Sequence, residues 1–160
     1  MPSPRNWLGD VYKRQTSELA RALTNFGIAL ESSGRLVEAK EAIVESVGMY
    51  RRLAVVSPDI THPQLARSLS VLSDVFALLD RTQEAAETAH EALQFLLPSL
   101  EAVPLAWAGL ALEIMNDLKS YCAAAGQVVD AELVARAMRA LSSLDTASSV
   151  DHADSGTAAT

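Results

Sequence analysis

Two arginines offer the clearest chemistry in this sequence of 160 residues. Arg21 and Arg67 each follow a Leu-Ala dipeptide, and they occupy matching places 46 residues apart. Two guanidinium groups held side by side can bind a carboxylate or a phosphate through paired, charge-assisted hydrogen bonds. In the alternative interpretation both side chains are solvated, or pair along their own helices with Glu18 or Asp74.

A catalytic or metal site needs polar groups that converge, and the pattern of this sequence does not predict one. His62 falls at a predicted helix start, His90 within a predicted helix and His152 in the C-terminal tail, so no two are placed to share a proton or a metal ion. Cys122 lies on the apolar stripe of a predicted helix, where a thiol behaves as a small hydrophobic group. No glycine-rich phosphate loop, His-Glu-x-x-His or Gly-x-Ser-x-Gly motif occurs. We therefore expect a protein without enzymatic activity, cofactor or metal.

The composition is that of one modest domain with an acidic surface. Apolar residues make up 49% of the chain, charged residues 21%, and the formal net charge is −7. An acidic balance disfavours nucleic acid as a partner. No apolar run approaches the roughly 18 residues that a membrane span needs, so we expect no membrane partner. A single cysteine excludes an internal disulfide and favours a cytoplasmic location.

Both ends of the chain differ from its body. Residues 1–15 resemble translated adaptor sequence, notably in Pro-Ser-Pro-Arg and Val-Tyr-Lys-Arg-Gln, and are predicted to be a non-native or disordered extension. Residues 145–160 consist mainly of small and polar residues, which bury too little apolar surface to offset the cost of ordering. We predict a disordered tail there, which leaves residues 16–144 as the folded body.

The body repeats itself with a period of 46 residues. Gly34-Arg35-x2-Glu38-Ala39 aligns with Asp80-Arg81-x2-Glu84-Ala85 and, more weakly, with Gly126-x3-Asp130-Ala131. Apolar residues recur every three or four positions on both sides of these segments, which is typical of amphipathic helices. Each unit is therefore predicted to be a helix, a turn and a second helix. A left-handed residue should close each first helix, at Gly34, Asp80 and Gly126.

The three predicted units span about residues 16–61, 62–103 and 104–144. The apolar stripe of the first helix, which we expect to be buried, contains Leu19, Leu23, Phe26 and Leu30. The last helix is expected to turn one apolar side to the core and a polar side outward, its apolar residues being Val134, Ala137, Met138 and Leu141. Pro98 should end or kink the second helix of unit two. Unit three matches least well, since Lys119 replaces the small residue found at Gly27 and Ser73.

These units resemble tetratricopeptide repeats. The similarity lies in Leu23-x2-Phe26-Gly27-x2-Leu30 followed by Gly34-Arg35-x2-Glu38-Ala39, and it extends over about 130 residues. Because the usual period is about 34 residues, the units are most similar to the long repeats of kinesin light chain and of arrays attached to signalling ATPases and caspase-like proteases. The resemblance implies an all-α, right-handed solenoid of three helix-turn-helix repeats, with the first helices lining a concave groove.

The resemblance also implies a function: a non-catalytic scaffold that binds a peptide or a partner protein in that groove. The implied groove residues are Arg21, Thr24, Ile28, Glu31, Arg67, Ser70, Asp74, Leu78, Glu113, Asn116 and Ser120. Ile28 stands where the clamp for chaperone C-termini has its first asparagine, so such tails are not expected as ligands. Two alternatives stay open. The chain is a C-terminal sensor or regulatory fragment of a larger signalling ATPase or protease, with an intramolecular partner, or it is a homotypic assembly module.

Overall fold

Amphipathic segments separated by short turns form six α-helices. The computed structural model describes the backbone of residues 4–151 and the side chains of residues 7–144, and no strand occurs within that range. The prediction of an all-α fold is confirmed. The helices are α1 (Pro4–Ser32), α2 (Leu36–Val56), α3 (Pro58–Leu78), α4 (Thr82–Ala102), α5 (Pro104–Ala125) and α6 (Ala131–Asp151). None of the helices in the described part is long and apolar enough to cross a lipid bilayer.

Each helix packs mainly on its neighbours in the chain. The contacts of α1 with α2 and of α3 with α4 are the most extensive, together with those between α4 and α5. In addition, α1 touches α3, and α3 touches α5, so these three helices lie side by side. One continuous core of buried residues extends from Ala20 on α1 to Ala137 on α6.

The three turns that follow α1, α3 and α5 share one conformation, as predicted. Gly34, Asp80 and Gly126 have φ angles of +75°, +61° and +67°. At each turn a backbone N–H donates to the carbonyl five residues earlier, and the three pairs are Arg35 to Leu30, Arg81 to Phe76 and Gln127 to Cys122. A left-handed residue allows this bond, which gives a carbonyl at the helix end a backbone donor.

Gly27 allows α1 and α2 to approach closely. A β-carbon at this position would lie 2.3 Å from Cγ1 of Ile43. Ser73, the equivalent residue of α3, is fully buried, whereas Lys119 on α5 is exposed. Because a lysine side chain does not fit into such a narrow space, the third helix pair is more open. Accordingly, α6 packs less extensively on α5 than α2 does on α1, and it shares its contacts between α4 and α5.

The start of α6 also departs from the repeat. In the first two units the second helix begins two residues after the left-handed turn, but α6 begins at Ala131, five residues after Gly126. The reason is Asp130, whose Oδ1 accepts the backbone N–H of Leu133 at 3.0 Å. This bond caps the helix, and together with the contact to His90 it holds the pKa of Asp130 below its usual value.

Four predicted boundaries differ in the structure. Pro58, not residue 62, opens the second unit, because proline is well suited to the first position of α3, and Pro63 lies inside that helix. Pro98 does not end α4, which continues to Ala102 with this exposed ring on its solvent side. Backbone 4–15 is helical within α1, and α6 continues through residues 145–151, where no glycine or proline interrupts it. Residues 1–3 and 152–160, including His152, lie outside the described part.

The expected burial of the first apolar stripe is wrong for two of its members. Leu30 is buried and Leu23 half-buried, but Leu19 and Phe26 are each more than half exposed. The reason is that no described element packs on that side of α1, which contacts only α2 and α3.

Candidate functional site

Two cavities follow the surface that α1 and α3 form with α5. One, of about 250 Å³, is lined by Arg21, Tyr50 and Gln64. We call it the basic cavity. The other, of about 360 Å³, is lined by Glu31 and Asp74 together with Ile28 and Glu113, and we call it the acidic cavity. Arg67 borders both, so they form one surface that changes its charge along the helices.

Arg21 and Arg67 have no ionic partner among the described residues. Neither forms an ion pair or donates a hydrogen bond there, so the alternative pairing with Glu18 or Asp74 is not formed. Five other arginines each pair with a glutamate: Arg35, Arg51, Arg81, Arg136 and Arg139. Burial raises the pKa of the Tyr50 hydroxyl, and the charges of Arg21 and Arg67 partly oppose that shift. The two guanidinium groups are therefore available to an external anion.

Buried hydroxyl groups fix the floor of the basic cavity. The Thr24 hydroxyl lies 2.7 Å from that of Ser46 and 2.8 Å from that of Ser68, which joins α1, α2 and α3. Ser46 also donates to the Ala20 carbonyl at 2.6 Å. The Thr24 hydroxyl forms its hydrogen bonds with buried groups of the protein. It therefore holds the helices beneath the cavity together and is not free to bind a ligand.

Carboxylates from three helices converge at the acidic cavity. Oxygen atoms of Asp74, Glu113 and Asp117 lie within 4.8 Å of one another. The Tyr121 hydroxyl donates to Asp74 Oδ1 at 2.6 Å, which ties α5 to α3. Glu31 of α1 lines the same cavity. No described cation forms an ion pair with any of these four carboxylates.

Partial burial makes this group of carboxylates hard to ionise completely. Desolvation, followed by the charges of Asp74 and Glu113, raises the pKa of Asp117 to about 6. Burial also raises the pKa values of Asp74 and Glu31, although the hydrogen bond from Tyr121 opposes the shift at Asp74. Like charges in one place disfavour each other's ionised forms.

Among the described residues, only Asp74, Glu113 and Asp117 are close enough together to hold a metal ion as a group. Their oxygen ligands would suit a hard cation such as Mg²⁺ or Ca²⁺. Exposed and half-buried carboxylates are common on protein surfaces without an ion, and this cluster has no further feature that would select one.

The structure places the eleven predicted groove residues in three settings. Six line the two cavities with a side chain that reaches solvent: Arg21, Ile28, Glu31, Arg67, Asp74 and Glu113. Thr24 and Ser70 also border them but are buried. Leu78, at the end of α3, and Asn116 and Ser120, on α5, are exposed and line neither cavity. For the two α5 residues the reason is that α5 turns Glu113, Asp117 and Tyr121 toward α3 instead.

Sequence reasoning missed Tyr50, Gln64, Asp117 and Tyr121. The spacing of Glu113, Asp117 and Tyr121 by four residues was an available signal, because such residues share one face of a helix. Tyr50 carried no such signal, since it comes from α2 and reaches the surface between α1 and α3 through its long side chain.

The other reactive side chains serve packing. Cys122 is buried, as predicted for the apolar stripe of α5, and burial raises the pKa of its thiol. The ring of His62 meets that of Phe95 edge to face, with centroids 5.2 Å apart. His90 lies 3.1 Å from Asp130. These three side chains do not converge with the basic or the acidic cavity.

No family model, curated protein or solved structure matches this sequence. The interpretation of the groove therefore depends on its own residues and their geometry.

Proposed function

We propose that this chain is a non-catalytic, cytoplasmic protein-binding scaffold whose three helix pairs form a short tetratricopeptide-like solenoid. Two observations support this architecture. The same left-handed turn recurs every 46 residues, and the first helices of the three pairs lie side by side. In repeat arrays of this kind, the surface formed by equivalent helices of successive units is the usual place for a partner.

The partner segment that we propose is acidic, and it binds to Arg21 and Arg67 at the basic cavity. The observation that carries this proposal is that these two arginines, which have no ionic partner in the described part, line the same cavity. Arg14 and Arg52 also have no ion pair there, but they line neither the basic nor the acidic cavity. Arg21 and Arg67 occupy equivalent positions on α1 and α3, line the same cavity, and lie close enough to Tyr50 for both charges to act on its hydroxyl. A carboxylate or phosphate placed between them would receive charge-assisted hydrogen bonds from both.

The negative charge of the rest of the protein limits the attraction of an acidic peptide to the immediate surroundings of Arg21 and Arg67. With a net charge of −7, the chain repels an acidic peptide at long range. Binding must therefore depend on short contacts at the two arginines, and salt should weaken it less than it weakens steering by a whole basic surface. This separates the proposed site from general electrostatic adsorption.

Fluorescence anisotropy with labelled twelve-residue peptides tests the proposal. The peptides would carry paired glutamates or phosphoserines, and matched peptides would carry glutamine or serine at those positions. The double variant Arg21→Ala, Arg67→Ala should lose about 2 kcal/mol of binding free energy, or about 30-fold in affinity, because two charge-assisted contacts disappear.

The control is the double variant Arg51→Ala, Arg136→Ala. It removes the same charge, but from arginines that bind Glu91 and Glu101 away from the two cavities. The control should bind acidic peptides as the wild type does. Equal affinity of both double variants, or no preference for acidic over neutral peptides, would contradict the proposed site.

A further inference from the structure

The outer side of α1 carries apolar residues at positions that are buried in the other two units. Leu19 and Phe26 are 51% and 56% exposed. Their equivalents 46 residues later, Leu65 and Leu72, are 0% and 6% exposed. The difference has a structural cause, because α3 has a preceding helix pair packed on it through α2, whereas α1 has none in the described part. We call Leu19 and Phe26 with their surroundings on α1 the leading face.

The last helix pair shows the opposite arrangement. Leu112 on α5 and Met138 on α6 are 53% and 49% exposed. The residues at the equivalent positions of both earlier units are fully buried: Ala20 and Ser46 in the first, Ala66 and Ala92 in the second. Met138 was expected in the core, and this expectation is wrong. We call Leu112 and Met138 with their surroundings the trailing face.

These two faces are the two halves of a contact that the chain already makes internally. Ser46 and Ala20 of the first pair are hydrogen-bonded to each other and lie beside Thr24, whose hydroxyl meets that of Ser68 in the second pair at 2.8 Å. The leading face corresponds to the side of α3 that receives a neighbour. The trailing face corresponds to the side of the first pair on which the second pair packs.

The residues that replace the buried ones also suit an intermolecular contact. At the trailing face the small residues Ala and Ser are replaced by Leu and Met, so a neighbour there would lie farther out than in the internal contact and would cover a larger apolar surface. Methionine adapts its shape to an imperfect partner surface, and the more open third pair exposes it. Other apolar side chains are also exposed, such as Ile60 and Leu105, but the four residues of the two faces differ from them because their repeat equivalents are buried. In a repeat array such positions are the ones that a neighbouring unit covers.

We propose that copies of this chain stack end to end, with the trailing face of one copy seated on the leading face of the next. The occupant of each face is a second copy because the chain holds both complementary halves in the register of its own repeat. Such a contact joins two different surfaces, so a dimer still has one leading and one trailing face open. Assembly should therefore continue beyond the dimer as the protein concentration rises, and it leaves the groove between α1, α3 and α5 accessible.

Sedimentation velocity with full-length protein from about 1 to 200 μM tests the proposal, a range that covers the micromolar affinities of modest interfaces. The wild type should shift from monomer to dimer and larger species. A leading-face variant, Leu19→Asp with Phe26→Asp, and a trailing-face variant, Leu112→Asp with Met138→Asp, should each stay monomeric. Mixed together, they should form a one-to-one dimer and nothing larger, because each keeps one intact face.

The pattern of the mixture separates end-to-end stacking from other arrangements. If the trailing-face variant still dimerises alone while the leading-face variant does not, two copies pair through α1 and the proposal is wrong. A wild type that stays monomeric over the whole range also overturns it. Val55→Asp is the matched control, since Val55 is 86% exposed on α2 and belongs to neither face. Circular dichroism checks that each variant is folded, and serine in place of aspartate supplies milder variants if one is not.

Discussion

The Tyr121 hydroxyl of α5 donates a 2.6 Å hydrogen bond to the Asp74 carboxylate of α3. Both side chains are half-buried, and this bond is the polar link between two helices that otherwise touch only slightly. Removing the hydroxyl with Tyr121→Phe should lower the free energy of unfolding by about 1.5 kcal/mol, because a half-buried carboxylate loses its donor. Urea denaturation at pH 7 measures the change.

A double-mutant cycle with Asp74→Ala isolates the contact. The two single changes should not add, since each removes the same hydrogen bond. Additive effects would show that Tyr121 and Asp74 contribute independently. The Tyr121→Phe variant should also raise the pKa of Asp74 further, because the hydrogen bond from the phenol holds it down.

The raised pKa of Asp117, beside the acidic cavity, should contribute a loss of stability as the pH rises from about 4 to 7. The pKa of Asp117 is about 6 in the folded protein, above its ordinary value of 3.8. Between these values the folded state binds more protons than the unfolded state, so the free energy of unfolding falls as the pH rises. Asp117→Asn removes this penalty. It should stabilise the protein by about 1 kcal/mol at pH 7.5, after allowance for the partial exposure of the side chain, and hardly at pH 4.

Asp130 provides the contrast for that experiment. Its pKa is lowered by the backbone N–H of Leu133 and by His90, so it stabilises the fold when ionised. Asp130→Asn should therefore destabilise the protein at pH 7.5, with the difference shrinking toward pH 4. Denaturation curves at both pH values measure the change in the free energy of unfolding for each variant. A change of the same sign for Asp117→Asn and Asp130→Asn at pH 7.5 would contradict this account of the acidic cavity.

Two glycine positions in helices should respond in opposite directions to alanine. Gly27→Ala brings a β-carbon against Ile43, and we expect a loss of about 2 kcal/mol from overpacking. Gly109→Ala in α5 meets nothing within 4 Å. It should gain about 0.5 to 1 kcal/mol because alanine favours helix more than glycine does. Thermal or urea unfolding measures both. A stabilising Gly27→Ala would mean that α1 and α2 are less close than they are here.

The left-handed turns make a further pair of variants informative. Gly34→Ala should cost about 1 kcal/mol, because φ is +75° there and a β-carbon is strained in that region. Asp80→Gly should instead stabilise the protein by about 0.5 kcal/mol, since aspartate holds the same conformation with a φ of +61°. Equilibrium urea denaturation measures both changes in the free energy of unfolding. Changes of the same sign and size for the two variants would show that the left-handed conformation does not determine the stability of these turns.

The helices and turns could be predicted because their signals are local. A glycine or an aspartate followed by Arg-x2-Glu-Ala specifies the end of one helix and the start of the next within a few residues, as at Gly34 and Asp80. The late start of α6 could not be read in the same way. It depends on the competition between the repeat pattern and the side chain of Asp130, which caps the helix further along.

Burial on the outer sides of the first and last helix pairs could not be predicted from periodicity. Leu19 and Leu65 have the same place in their helices, yet only Leu65 has another helix pair over it. For the candidate site, the match between Arg21 and Arg67 was visible as a repeat. Asp117 and Tyr121 were missed because their role arises only where α5 meets Asp74 of α3, a contact between residues far apart in the chain.

The divided attachment of α6 bears on how the protein unfolds. Helices held mainly by contacts with their chain neighbours open in segments, beginning where the fewest contacts hold a segment. The helix α4 is covered by α3 and α5 together, whereas α6 rests partly on α4 and partly on an α5 that Lys119 keeps at a distance. Amide hydrogens of α6 should consequently exchange with solvent through local opening, well before those of α4. Detachment of that one helix would uncover the apolar surface of α5 while the first four helices remain folded.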